Sequence, residues 1–188
     1  LYTVLEGLEQ VVKENPDTVK ASVDQLIELA GDNGLGDEIS STRANVLRTV
    51  QQFAAVDPEL IRPHISELAA LLTDENRFVR KRTAELFAEV GEETPSLVKP
   101  VLDDLVAACT DEDADARHKS LRALAPFEEK QAAGAKKDAP LFVEEVADTS
   151  EDGYTSRDSS AAYGLSTCAE EFPETVMPML AEFMPALV

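Results

Sequence analysis

A proline-led phrase recurs along the chain and restricts its fold more than any other feature. It reads NPDTVKASVDQL at 15–26, DPELIRPHISEL at 57–68, TPSLVKPVLDDL at 94–105, APLFVEEV at 139–146 and FPETVMPMLAEF at 172–183. The copies open with Pro16, Pro58, Pro95, Pro140 and Pro173, at steps of 42, 37, 45 and 33 residues. Three carry a second proline five residues on: Pro63, Pro100 and Pro178. Between the copies runs a second beat, an acid followed six residues later by an arginine: Asp37 and Arg43, Asp74 and Arg80, Asp111 and Arg117, Glu151 and Arg157. Two motifs alternating at such steps mark a tandem array, in which each unit buries its apolar face against its neighbours.

The phrases read as helices. Proline at the first helical position gives up a hydrogen bond that would not be made anyway, and Asn15, Asp57 and Thr94 stand before it as capping residues. Apolar residues follow at helical spacing, as in Ile61, Ile65, Leu68 and Leu72, or Val98, Leu102 and Leu105. The second proline falls past the first turn, where it removes a backbone bond and bends the helix. The segments between the phrases, Arg43–Val56, Asn76–Glu92, Ala114–Glu128 and Ser156–Phe172, carry the same period, for example Val79, Thr83, Leu86 with Phe87, and Val90. Turns such as TDEN and TDED are short enough to require antiparallel neighbours. No window alternates as a strand would, so the expectation is an all-α fold.

This pattern resembles HEAT repeats. In that family each repeat is a proline-kinked outer helix, a turn with aspartate and an inner helix opening on Val-Arg. LLTDENRFVRKRTAELFAEV at 71–90 fits closely, and AACTDEDADARHKSLRAL at 107–124 fits with Ala116 at the valine position. The first repeat has a longer GDNGLGD turn; in the fourth, Glu145 replaces the second proline and EEKQAAGAKKD at 128–138 reads as an inserted polar loop. The resemblance implies a right-handed α-solenoid of antiparallel helix pairs, a HEAT/armadillo-like superhelix, as one array over 1–188. Its units are 1–15 (half), 16–57, 58–94, 95–139, 140–172 and 173–188 (half). It also implies that Asp37, Asp74, Asp111, Arg43, Arg80, Arg117 and Arg157 form a ladder of charge-assisted hydrogen bonds, and so belong to the architecture. With half-units and no polar cap at either end, the chain reads as a slice of a longer array or as one whose ends a partner covers.

Charge narrows the partners. There are 37 acids and 17 bases, a net charge of −20, with the acids dispersed rather than gathered in a tail. Such a field repels phosphate and anionic headgroups, so nucleic acid and membranes are poor default partners. A 44% apolar content argues against disorder. A dispersed acidic surface over a patterned core resembles proteins of salt-in halophiles; the rival reading is an acidic scaffold for basic partners. The two cysteines, Cys109 and Cys168, sit in apolar helical segments without metal-ligand spacing. They read as small buried hydrophobes, and a reducing, cytoplasmic compartment is expected. No membrane span and no leader-like segment is legible.

Chemistry is hard to place on this sequence. His64 and His118 are the only histidines, and neither has a partner at zinc-like spacing. The acid clusters 111–115 and 144–152 lack a calcium-loop frame, and there is no phosphate loop or nucleophile elbow. HEAT-like hydroxylases would show His-Glu dipeptides, and HEAT-like glycosylases would be basic and aromatic. A resemblance to phycobilin-lyase-type HEAT proteins rests on the repeats alone. One local feature opposes the global charge. Arg77, Arg80, Lys81 and Arg82 recur in the third repeat as Arg117, Lys119 and Arg122. Removing the ladder arginines and aligning the repeats sets Lys81 and Arg82 beside Lys119 and Arg122 as a basic stripe. The bland reading is a solvated face balanced by Glu85 and Glu89; the functional one is a groove for an acidic peptide or, as the lesser alternative, a nucleic-acid backbone. The chain is therefore expected to be a protein-binding scaffold or adaptor, without catalysis or cofactor. A chromosome-associated HEAT module of a larger complex is the alternative.

Overall fold

The computed structural model describes residues 10–31 and 40–147, together with 166, 169, 170, 172–174 and 176–178. Among these residues every regular element is helical and no strand occurs. None of the described helices is long and apolar enough to cross a membrane. The chain divides into two compact units, Leu1–Val101 and Leu102–Val188.

The first unit contains α1 (Pro16–Gly31), α2 (Ser40–Val56), a 3-10 stretch Pro58–His64 that continues into α3 (Ile65–Ala70) and a last 3-10 turn Leu71–Thr73, then α4 (Arg77–Glu93), α5 (Pro95–Val98) and a 3-10 turn Lys99–Val101. Pro16, Pro58 and Pro95 each occupy a first helical position. Asp57 caps its helix by accepting from the Glu59 amide at 3.0 Å. Thr94 holds the same place before Pro95 but makes no side-chain cap bond, contrary to the sequence reading. Two of the second prolines interrupt the α-helix in which they fall. Pro63 and Pro100 fall in 3-10 stretches, and the α-helix resumes at Ile65 and Leu102. A proline cannot donate the α-helical bond, so the backbone tightens locally to the shorter one.

The core of this unit follows the apolar period. Ile61, Ile65, Leu68 and Leu72 are buried, as are Val79, Thr83, Leu86, Phe87 and Val90. Helix α2 packs against both α1 and α4, so the inner helices of successive repeats lie side by side. Burial of these side chains, about 1.5–3 kcal/mol each, is what opposes the entropy of ordering the helices.

The second unit contains α6 (Leu102–Ala108), α7 (Ala114–Ala123) and α8 (Glu128–Ala147). Two expectations are corrected here. Helix α7 stops at Ala123, short of Glu128, because Pro126 cannot continue it; the Leu124 amide closes the last turn on the Leu121 carbonyl at 3.1 Å. Residues 128–138 are not a loop. They form the first half of α8, which runs through the 139/140 repeat boundary and holds Pro140 in its interior. Polarity misled the reading, since Glu, Lys, Gln and Ala are all strong helix formers. Gln131, Ala135, Asp138 and Ala139 are buried at helical spacing and form the inward stripe. Gly134 on that stripe allows a close approach: a Cβ there would lie 2.9 Å from Cys109 Sγ and 3.0 Å from a Leu124 methyl.

Residue 172 is non-helical and Pro173 helical, and the Val176 amide bonds the Phe172 carbonyl at 3.1 Å, so the last phrase also opens on its proline. Asp37, Glu151, Arg157 and Cys168, with the GDNGLGD turn after Gly31, lie outside the described residues.

Candidate functional site

The acid–arginine beat resolves into a repeated local device. In the first unit Asp74 Oδ1 accepts from the Asn76 amide at 2.9 Å, and Asn76 Oδ1 caps α4 through the Phe78 amide at 2.9 Å. Arg80 reaches back to donate to the Asp74 carbonyl at 2.9 Å. In the second unit Asp111 Oδ1 accepts from the Asp113 amide at 2.7 Å, and Asp113 caps α7 through the Ala116 amide at 3.1 Å. Arg117 donates to the Asp111 carbonyl at 2.7 Å. The six-residue spacing therefore places one guanidinium under its own turn, where it holds carbonyls that the chain reversal leaves outside any helix. The hydroxyls of Thr83 and Ser120, three residues past these arginines, each bond the carbonyl one turn back at 2.9 Å.

Cross-repeat bonds complete the device. Arg43 of α2 donates through Nε to the Ala30 carbonyl of α1 at 2.8 Å, and its two terminal nitrogens grip both oxygens of Asp74. The side chains of that pair are 5% and 2% exposed. Arg117 Nε pairs with Asp138 Oδ1 at 2.9 Å, with side chains 2% and 0% exposed. Asp138 was not singled out from the sequence. Its signal was its place in the stripe with Gln131 and Ala135, hidden by the polar composition of the segment.

The candidate partner-binding residues divide between the units, with Lys81 and Arg82 on α4 and Lys119 and Arg122 on α7. All four are half-buried. Arg82 is paired with Glu85, as the balanced-face reading anticipates. Within the second unit, burial first and then the positive charges of Lys119 and Arg122 hold His118 below the ordinary histidine range.

Two other places have distinct chemistry. The C-terminal ends of α2 and α4 border a cleft of about 540 Å³, lined by Ala54, Val56, Glu89, Glu92, Glu93 and Thr94 among others. Helix C-termini and glutamates make it negative. His64, next to the kinking Pro63, lies between Asp24 of α1 and Glu67. The sequence could not show that pairing, because Asp24 stands forty residues away. Among the described residues no group of three histidine, cysteine, aspartate or glutamate side chains is arranged to hold a metal ion.

No curated protein and no solved structure matches the chain. The model of one protein family does match, over residues 41–187, and the family is described as non-SMC mitotic condensation complex subunit 1. The matched stretch spans both units and includes the turns at 74–76 and 111–113.

Proposed function

The chain belongs to the family of non-SMC mitotic condensation complex subunit 1, and on that premise we propose that it is a non-catalytic, chromosome-associated module of a larger complex. In this reading its repeats form a right-handed α-solenoid of the HEAT type whose surface holds other proteins of the assembly. The family match over most of the chain is the observation that carries it. The ladder is consistent with it, since the buried charges at Arg43, Asp74, Arg117 and Asp138 are engaged in bonds that hold helices together. Direct grip on nucleic acid is a lesser part of the reading, because a net charge of −20 opposes it. The same acidity suits work in concentrated salt, where the Debye length shrinks to about 3 Å and recognition depends on short contacts.

Lys81, Arg82, Lys119 and Arg122 are the proposed contacts for an acidic segment of a partner. The test combines a tagged chain with fractionation before and after nuclease treatment. The expected result is enrichment on chromatin and sedimentation in a large assembly that survives nuclease. Exchange of the four bases for glutamate should release the chain from that assembly without unfolding it. A chain that sediments alone and is absent from chromatin would overturn the reading. An assembly found only away from chromatin would favour a general scaffold, and a chromophore bound on purification would favour a lyase-like protein. Unchanged assembly in the four-fold variant would remove these bases from the proposal.

A further inference from the structure

His64 ends the 3-10 stretch at the kink of the second repeat's outer helix and occupies the N-cap position of α3. Its side chain makes no cap bond there. The ring is directed instead at two carboxylates from different helices. Nε2 lies 2.7 Å from Asp24 Oδ1 on α1, and Nδ1 lies 3.1 Å from Glu67 Oε2 on α3. The imidazole is largely covered, at 18% exposure, whereas the two acids are 44% and 50% exposed.

This geometry discriminates between protonation states. A neutral imidazole has one N–H and one lone pair, so it can donate to only one carboxylate and must turn its lone pair toward the other. The imidazolium donates to both. We propose that His64 is a proton-operated clasp that fastens α1 to the kinked helix of the second repeat. Protonation closes it through two charge-assisted bonds. Loss of the proton leaves a single bond and a repulsive contact, so the kink is held less firmly to the first repeat.

The charges around the ring agree with this assignment. Partial burial pushes the pKa of His64 down, but hydrogen bonds to Asp24 and Glu67, and then their charges, outweigh it and leave it above the ordinary value of 6.5. On α1, Lys20 and Glu28 lie one turn to either side of Asp24. On the kinked helix, Arg62 pairs with Glu59. Helix α2, which also packs against this stretch, has its Arg43 engaged with Ala30 and Asp74. A folded-state pKa above the unfolded one gives stability that is fully present below pH 6.5 and is lost as pH rises through the raised value.

NMR titration of the two histidines in the intact chain, with a double-mutant cycle of His64→Gln and Asp24→Asn, tests the clasp. His64 should titrate above 6.5 and move down in Asp24→Asn, while His118 titrates below 6.5 in both. At pH 6 the coupling between positions 64 and 24 should amount to about a two- to five-fold change in the unfolding constant, the scale of a surface-edge ion pair. At pH 9 it should be smaller, since the neutral ring keeps at most one of the two bonds. His64 titrating at or below 6.5, or a coupling equal at the two pH values, would overturn the proposal. The titration is read in the folded protein, so it holds even if the double variant is too unstable for the cycle.

Discussion

Arg43 and Arg117 occupy matching places in the two units, and both are buried against a carboxylate, yet the acids have different origins. Arg43 takes Asp74, the acid of the next turn, in keeping with the acid–arginine beat. Arg117 takes Asp138, from the middle of a helix and outside the beat altogether. What recurs is a buried guanidinium closed on a carboxylate from farther along the chain; that acid only has to arrive at the right place. The Asp138 pair is also the drier, with both side chains at 2% exposure or less against 5% and 2% for the first.

The largest expected effect tests whether the two pairs are equivalent despite their origins. Removing one partner strands a buried charge, at a cost of about 3–5 kcal/mol. Arg43→Ala, Arg117→Ala and Asp138→Ala should each lower the melting temperature by roughly 10 °C. Exposed Lys20→Ala should leave it within about 1–2 °C. A joint change of Arg117→Met with Asp138→Leu should recover much of the loss, because the unpaired charge is gone. If Asp138→Ala melts like Lys20→Ala, the second pair is incidental and the comparison fails.

A middle-sized effect concerns how α8 brings Asp138 into reach. Gly134, one turn before Asp138, lies against Cys109 and Leu124 closely enough that a methyl group would crowd them. Gly134→Ala should therefore cost about 1–2 kcal/mol, overpacking outweighing the gain in helix propensity. Adding Cys109→Ala should restore part of that loss by clearing the sulfur. Gly31, at the end of α1, has nothing within 4 Å of its would-be Cβ, and Gly31→Ala should shift stability by less than about 0.5 kcal/mol. Chemical denaturation of the variants reads all three. Equal losses at the two glycines would mean that propensity rather than close approach is being measured.

Much of the first unit was legible because its signals are local. Proline at a first turn, an aspartate two residues before a capping asparagine, and apolar residues at period 3.6 each act within a few residues of themselves. The second unit was less so. Its helix from Glu128 carries its buried stripe on small and polar residues, Gln131, Gly134, Ala135 and Asp138, which resemble a surface when read one at a time. Pro140 suggested a new start where the structure has a helix interior. Of the candidate site, the charge types could be read but their company could not. Arg82 with Glu85 is a local pair three residues apart, whereas His64 with Asp24 and Arg117 with Asp138 depend on packing between helices.

The smallest effect tests whether position alone guarantees a bond, within the unit where the sequence read best. Asp57 and Thr94 both precede a helix-opening proline, and either residue type is a competent cap. Only Asp57 makes the bond, to the Glu59 amide; Thr94 has φ −137° and ψ 71° and makes none. The Thr94 amide is already taken by the Val90 carbonyl at 2.7 Å, so its backbone serves to close α4. The Asp57 amide likewise bonds the Phe53 carbonyl, at 2.9 Å, so closing the preceding helix does not separate the two; their ψ angles do, 98° at Asp57 against 71° at Thr94. Asp57→Ala should therefore cost about 1 kcal/mol, and Thr94→Ala only a few tenths. Asp57→Asn should retain most of the stability, since an amide oxygen can accept the same bond. Equal losses at the two positions, read from denaturant midpoints, would show that the helix starts are capped alike in solution and that the distinction between them is not real.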